Sequence, residues 1–182
     1  MPMQLPLHSL ISPMIFSSVL GQIQSSLSLL RACKTIRELN IVHARIICRG
    51  SEQDHFLITQ FISACSEFSP TSLNYVTGIF NRVISPNIYL WNTLIKVHCE
   101  KSDIDESFLF LKRMKKDSIV GPDKYTFSSL IKACSNALAL TEGRILHGLS
   151  VRYGTEGDVF VGSSLIDLYG KCEEIKSAAQ GV

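Results

Sequence analysis

Four aromatic residues, Phe56, Tyr89, Tyr125 and Phe160, each stand three positions before a small polar one: Thr59, Asn92, Ser128 and Ser163. Three residues is close to one helical turn, so each ring and its polar neighbour share a face. A ring so placed stacks on a nucleobase while the polar group addresses the edge of that base. The Asn amide offers a donor and an acceptor to a pyrimidine edge, and the Thr hydroxyl donates or accepts at a purine edge. The same rings have a second possible use, which is to staple each helix start to the preceding chain. The spacing leaves both uses open.

Other chemistry is sparse. His98-Cys99-Glu100 matches the first half of the zinc deaminase signature, but the P-C-x-x-C half that completes a metal cage does not occur in the sequence. His98 falls on the apolar face of a helix, so the match is accidental. There is no P-loop, nucleotide fingerprint or nucleophile elbow. His43 and His147 recur at equivalent places and read as packing residues. Lys112, Arg113, Lys115 and Lys116 either meet phosphates or form a solvated face at a favourable end of a helix dipole. The six cysteines share no C-x-x-C, and Cys33 and Cys134 occupy one place in two repeats. A recurring position is a packing position, where Cys acts as a small buried hydrophobe. The reading is therefore a binding module without catalytic residues, metal or cofactor.

The elements that would position these residues repeat. Ser28-Leu29-Leu30-Arg31-Ala32-Cys33 returns as Ser129-Leu130-Ile131-Lys132-Ala133-Cys134. Tyr89 to Lys96 aligns with Tyr125 to Lys132, and Ser128 to Ile131 aligns with Ser163 to Ile166. A period in the mid-thirties denotes stacked supersecondary units that cannot bury their apolar faces alone. Four complete units, 23–54, 55–87, 88–123 and 124–158, and a partial fifth, 159–182, are expected. In the third, Trp91, Leu94, Ile95 and His98 share one helical face. Ser102 and Asp103 are placed to cap the next helix, with Ile104, Phe108, Leu111 and Met114 as its stripe. In the fourth, Phe127, Leu130, Ile131 and Cys134 line the first helix, and Ile145, Leu146 and Leu149 the second. Pro122 and Gly154 punctuate the ends. The expected fold is all-α, an α-solenoid of antiparallel helix-turn-helix repeats. With 182 residues, 46% of them hydrophobic and 19% charged, such a chain buries a substantial core. The net charge of +2 permits an anionic partner without demanding one.

Residues 88–123 resemble a pentatricopeptide repeat, through Leu90-Trp91-Asn92-Thr93-Leu94-Ile95, Asp105-Glu106-Ser107, Phe110 to Lys115 and Pro122-Asp123. The fourth unit resembles the longer variant, through Leu130 to Cys134, Gly143-Arg144 and Leu146-His147-Gly148. The first unit carries similar marks at Leu29 to Cys33 and Val42-His43-Ala44. Asp158 to Cys172 resembles the short variant. Alternation of long, short and ordinary repeats is the mark of a plant subclass whose members commonly act in organellar RNA editing. The resemblance implies single-stranded RNA binding at one base per repeat. It implies reading by one first-helix residue together with the last residue of each unit: Leu27 with Asp54, Thr59 with Asn87, Asn92 with Asp123, Ser128 with Asp158, and Ser163 without its partner. On that resemblance, Thr59/Asn87 implies adenine and Asn92/Asp123 implies uracil.

Residues 1–22 are rich in Ser, Leu, Ile, Met and Pro, and the first acidic residue is Glu38. That suggests a transit peptide for a mitochondrion or chloroplast, although no Arg or Lys precedes Arg31. A secretory signal and a disordered leader are the rivals. No apolar run is long enough to span a bilayer. The expected partners are organellar single-stranded RNA and a separate editing or processing factor. Two alternatives stand beside this: a protein-binding scaffold of the tetratricopeptide kind, and a truncated product without activity of its own. Against the scaffold, Ile95 and His98 stand where the tetratricopeptide pattern has Gly and Tyr.

Overall fold

The computed structural model describes residues 13–68, 72–117 and 119–180. Nine helices and no strand occur among the described residues: α1 (Pro13–Ala32), α2 (Ile36–Cys48), α3 (His55–Ser66), α4 (Ser72–Phe80), α5 (Ile88–Glu100), α6 (Ile104–Asp117), α7 (Lys124–Asn136), α8 (Leu140–Arg152) and α9 (Val159–Gln180). The all-α expectation is met. Of the expected leader, residues 1–12 lie outside the described residues. Helix α1 begins at Pro13, upstream of the first expected unit, and proline suits a first helical position.

The helix ends have local causes. Asp54, Asn87 and Asp123 each stand immediately before a helix and accept from its first-turn backbone: Asp54 from the N–H of Leu57 at 2.8 Å, Asn87 from that of Leu90 at 3.0 Å, and Asp123 from those of Tyr125 and Thr126 at 3.0 Å. Asp158 accepts from the N–H of Phe160 at 2.9 Å. Each such cap contributes about 1 kcal/mol. Four other ends close through a left-handed residue: Gly50, Ser102, Leu138 and Gly154. After each, the next N–H turns back to a carbonyl of the last helical turn: Ser51 to Ile46, Asp103 to His98, Ala139 to Cys134 and Thr155 to Ser150. Ser102 therefore ends α5 and does not cap α6, contrary to the sequence expectation.

The chain divides into two compact units at residues 68 and 69. The first holds α1, α2 and α3. Its core gathers Leu30, Leu39, Val42, Ile46, Leu57, Ile58, Phe61 and Ile62, with the His43 ring tilted against Phe61 at 5.1 Å. The second holds α4 to α9. There α5, α7 and α9 lie side by side, α7 touching both neighbours. The remaining helices lie against that row: α4 on α5, α6 on α5 and α7, α8 on α7 and α9. This is the layered packing of stacked helical hairpins.

The α5 face comes out as its periodicity predicts, with Trp91, Leu94, Ile95 and His98 all buried. Phe80 meets Trp91 edge-on at 4.6 Å and Phe110 at 6.4 Å. The second helices agree in part: Leu111 and Met114 of α6 and Leu146 of α8 are buried as expected. In α6, Phe110 is buried and Phe108 only half-buried. In α8, Gly143, Leu146 and Ser150 face the core, while Ile145 is exposed. The reason is the close approach of α9, since a β-carbon on Gly143 would lie 2.3 Å from Cδ2 of Leu168.

Candidate nucleic-acid interface

The first helices place the aromatic residues. Phe56, Tyr89, Tyr125 and Phe160 are the second residues of α3, α5, α7 and α9. They are 59%, 70%, 50% and 56% exposed. The residue after each ring, Leu57, Leu90, Thr126 and Val161, is fully buried and anchors that helix start. The rings are thus left largely exposed at the helix starts. In the second unit, Tyr125 and Phe160 come from adjacent helices, 6.2 Å apart between centroids.

The polar residues behind the rings differ in their bonding. Asn92 Nδ2 donates to Asp123 Oδ1 at 3.0 Å, and Asn92 Oδ1 accepts from Thr126 Oγ1. Thr126, fully buried, accepts from the backbone N–H of Asp123 at 3.2 Å and so completes a capping box there. The Asn92 amide is thereby fixed in orientation. It retains one N–H and one carbonyl lone pair, enough for a two-sided hydrogen bond to a base edge. Ser128 and Ser163 donate to the carbonyls of Tyr125 and Phe160, at 3.2 and 3.1 Å. Thr59 donates to the carbonyl of His55 at 2.6 Å. These three hydroxyls keep their acceptor capacity.

Asn92 and Asp123 are hydrogen-bonded to each other, whereas Ser128 and Asp158 each bond elsewhere. Asp158 pairs with Lys124, Nζ to Oδ2 at 3.0 Å. That bond holds the Asp158 carboxyl below its usual range and raises the Lys124 ammonium above its own. The Lys124 ammonium also stands 5.3 Å from the Tyr125 ring centroid. Thr59 lies in the first unit and Asn87 in the second.

Sequence reasoning missed the capping role of the terminal Asp and Asn residues, and with it Thr126 and Lys124. The signal was present, because an Asp or Asn just before an apolar-periodic run is a helix start, and Asp123 precedes Thr126 at the capping-box spacing.

Lys96, Lys132 and Lys171 line the grooves between α5, α7 and α9. Lys96 pairs with Glu100 at 3.6 Å, and Lys171 with Asp167 at 2.9 Å. Asp167 also accepts from Ser135 of α7, which with Lys171 holds its carboxyl below the usual range. The basic run on α6 is partly structural: both terminal nitrogens of Arg113 donate to Asn81 Oδ1 at 3.1 Å, and its guanidinium lies over Trp91 and Phe110. His98 lies between Thr77 and Asp103, at 3.1 and 3.0 Å. His147 meets the Tyr169 hydroxyl at 2.9 Å. No group of metal-binding side chains forms among the described residues, and no described helix is long and apolar enough to cross a membrane.

The PPR repeat family model matches residues 86–136. A putative pentatricopeptide repeat-containing protein of Arabidopsis thaliana is 45% identical over 151 residues, covering 83% of this chain and 27% of that protein. A second pentatricopeptide repeat-containing protein from the same plant is 35% identical over 151 residues, covering 80% of this chain and 23% of its own length. A third, named chloroplastic, is 35% identical over 157 residues, 85% of this chain and 26% of that protein. The chain spans about a quarter of the length of these relatives.

Proposed function

Because the chain belongs to the pentatricopeptide repeat family, we propose that it binds single-stranded RNA through its first helices and reads bases there. Bases stack on Phe56, Tyr89, Tyr125 and Phe160. The polar residues one turn on, Thr59, Asn92, Ser128 and Ser163, address their edges. Asn92 with Asp123 takes uracil. Lys96, Lys132 and Lys171 face the phosphates. The chain acts in a mitochondrion or chloroplast as a site-recognition module for editing or processing, of the subclass with alternating repeats, and a separate factor supplies the chemistry.

The observation that supports this most is the Asn92–Asp123 bond. It aims an amide with unused donor and acceptor capacity at a surface that also carries an exposed ring. Titration of the chain against one short RNA, single-stranded and then annealed to its complement, tests the reading. Binding of the single strand only, with affinity falling as salt rises, is expected because stacked bases are not available in a duplex. Equal affinity for both forms, or none for either, contradicts it.

A further inference from the structure

The terminal residues of the repeats are wired differently in one respect. Asp123 bonds the reader of its own repeat, Asn92, at 3.0 Å. Asp158, its equivalent one repeat on, caps α9 through the N–H of Phe160 with one oxygen and holds Lys124 at 3.0 Å with the other. Its expected partner Ser128 donates instead to the carbonyl of Tyr125. The group that holds this second oxygen is Lys124, the first residue of α7. The first residues of α3, α5 and α9 are His55, Ile88 and Val159, none of them a fixed cation. A lysine at a helix N-terminus is opposed by the helix dipole. Its side chain is 43% exposed, and an ion pair so placed contributes little to folding. The cap on α9 is made by the other Asp158 oxygen and does not need it.

We infer that Lys124 is a specificity-determining residue: it withdraws Asp158 from the Ser128 reading pair and makes the Tyr125 position one that holds its nucleotide with relaxed base choice. The inference rests on the RNA-binding reading proposed above. At this position the nucleotide is retained by stacking on Tyr125, which every base can do, and by the ammonium 5.3 Å from that ring, which attracts the flanking phosphate. The neighbouring position, where Asp123 remains on Asn92, keeps its selectivity.

Equilibrium binding of the full chain to four RNAs differing only in the base at the Tyr125 position tests this, with a second set differing at the Tyr89 position as reference. For the unaltered chain, affinities across the first set should agree within about threefold and spread further across the second, as stacking is indifferent to base identity. Lys124→Gln should widen the first spread to roughly tenfold, leave the second unchanged, and reduce the slope of log affinity against log salt by about 1. Lys124→Arg, which keeps the pair, should behave as the unaltered chain. Asp158→Asn keeps a good cap, breaks the pair from the other side, and should also widen the first spread. A Lys124→Gln protein with an unchanged first spread overturns the inference and leaves RNA binding standing. So does an unaltered chain as selective at Tyr125 as at Tyr89. Failure of the unaltered chain to bind any of these RNAs removes the RNA-binding reading, and this inference with it.

Discussion

Asn92 and Asp123 are hydrogen-bonded across two helices, Nδ2 of the first donating to Oδ1 of the second at 3.0 Å. The same carboxylate oxygen accepts from the backbone of Tyr125 and Thr126, so one side chain both starts α7 and orients an amide on α5. A residue that carries the mark of a base reader is thus also a structural cap.

The two roles separate by substitution. Asp123→Ala removes the cap and leaves Asn92 without its acceptor, so it should lower the stability of the second unit by about 2 kcal/mol. Asp123→Asn keeps a capping oxygen and should stay within about 0.5 kcal/mol of the parent. Urea unfolding of the three proteins, followed by circular dichroism, measures this. Equal losses for both variants would show that the carboxylate charge, and not the cap, matters.

Glycines in α8 should respond in opposite directions. Gly148 is exposed, with nothing within 4 Å of an added β-carbon, so Gly148→Ala should stabilise by about 0.5–1 kcal/mol. At Gly143 the new methyl would lie 2.3 Å from Leu168, whose side chain is fully buried. Overpacking there costs about 1–3 kcal/mol, more than the gain of about 1 kcal/mol in helix propensity. Thermal unfolding should rank Gly148→Ala above the parent and Gly143→Ala below it.

Leu138 adopts φ of 57° at the end of α7 and is exposed. A left-handed conformation costs an L-residue roughly 1–2 kcal/mol and a glycine little. Leu138→Gly should therefore raise the melting temperature, despite the extra chain entropy of glycine in the unfolded state. A fall would mean that the exposed Leu138 side chain contributes more than the strain costs.

Burial pushes the thiols of Cys65 and Cys134 up to about 12 and that of Cys99 up to about 11, from 9.0. A folded value above the unfolded one favours the native state at every pH below the unfolded value. That contribution is lost as pH rises through the interval between them. Stability should hold at neutral pH and decline above about pH 9, the ordinary thiol value. At neutral pH a thiol-disulfide reagent should label the exposed Cys48 quickly, and Cys65 and Cys134 only after denaturation. Rapid native labelling at Cys134 would contradict the packing of α7.

The fold was legible because its signals are local. The α5 face follows from apolar spacing, and the helix breaks follow from Asp, Asn, Gly and Pro. What escaped was set by packing between helices. Phe108 and Phe110 are both plausible core residues of α6, and only the approach angle of that helix chooses Phe110. Ile145 is turned outward because Gly143 admits α9. At the candidate interface the proposed reading residues came from resemblance alone. The ion pair between Lys124 and Asp158 was not legible, because residues 34 apart meet only once the repeats stack.

The most direct test of RNA reading is equilibrium binding of the full chain to single-stranded RNAs differing only in the base at the Tyr89 position, with Asn92→Ser and Tyr89→Ala beside the parent. The parent should prefer uracil. Asn92→Ser should move that preference toward cytosine, because a hydroxyl gives up the two-sided pairing of the amide, by about 1–3 kcal/mol. Tyr89→Ala should weaken binding to all four bases alike, since stacking is sequence-tolerant. An unchanged base preference in Asn92→Ser, together with undiminished binding in Tyr89→Ala, would show that this face does not read RNA.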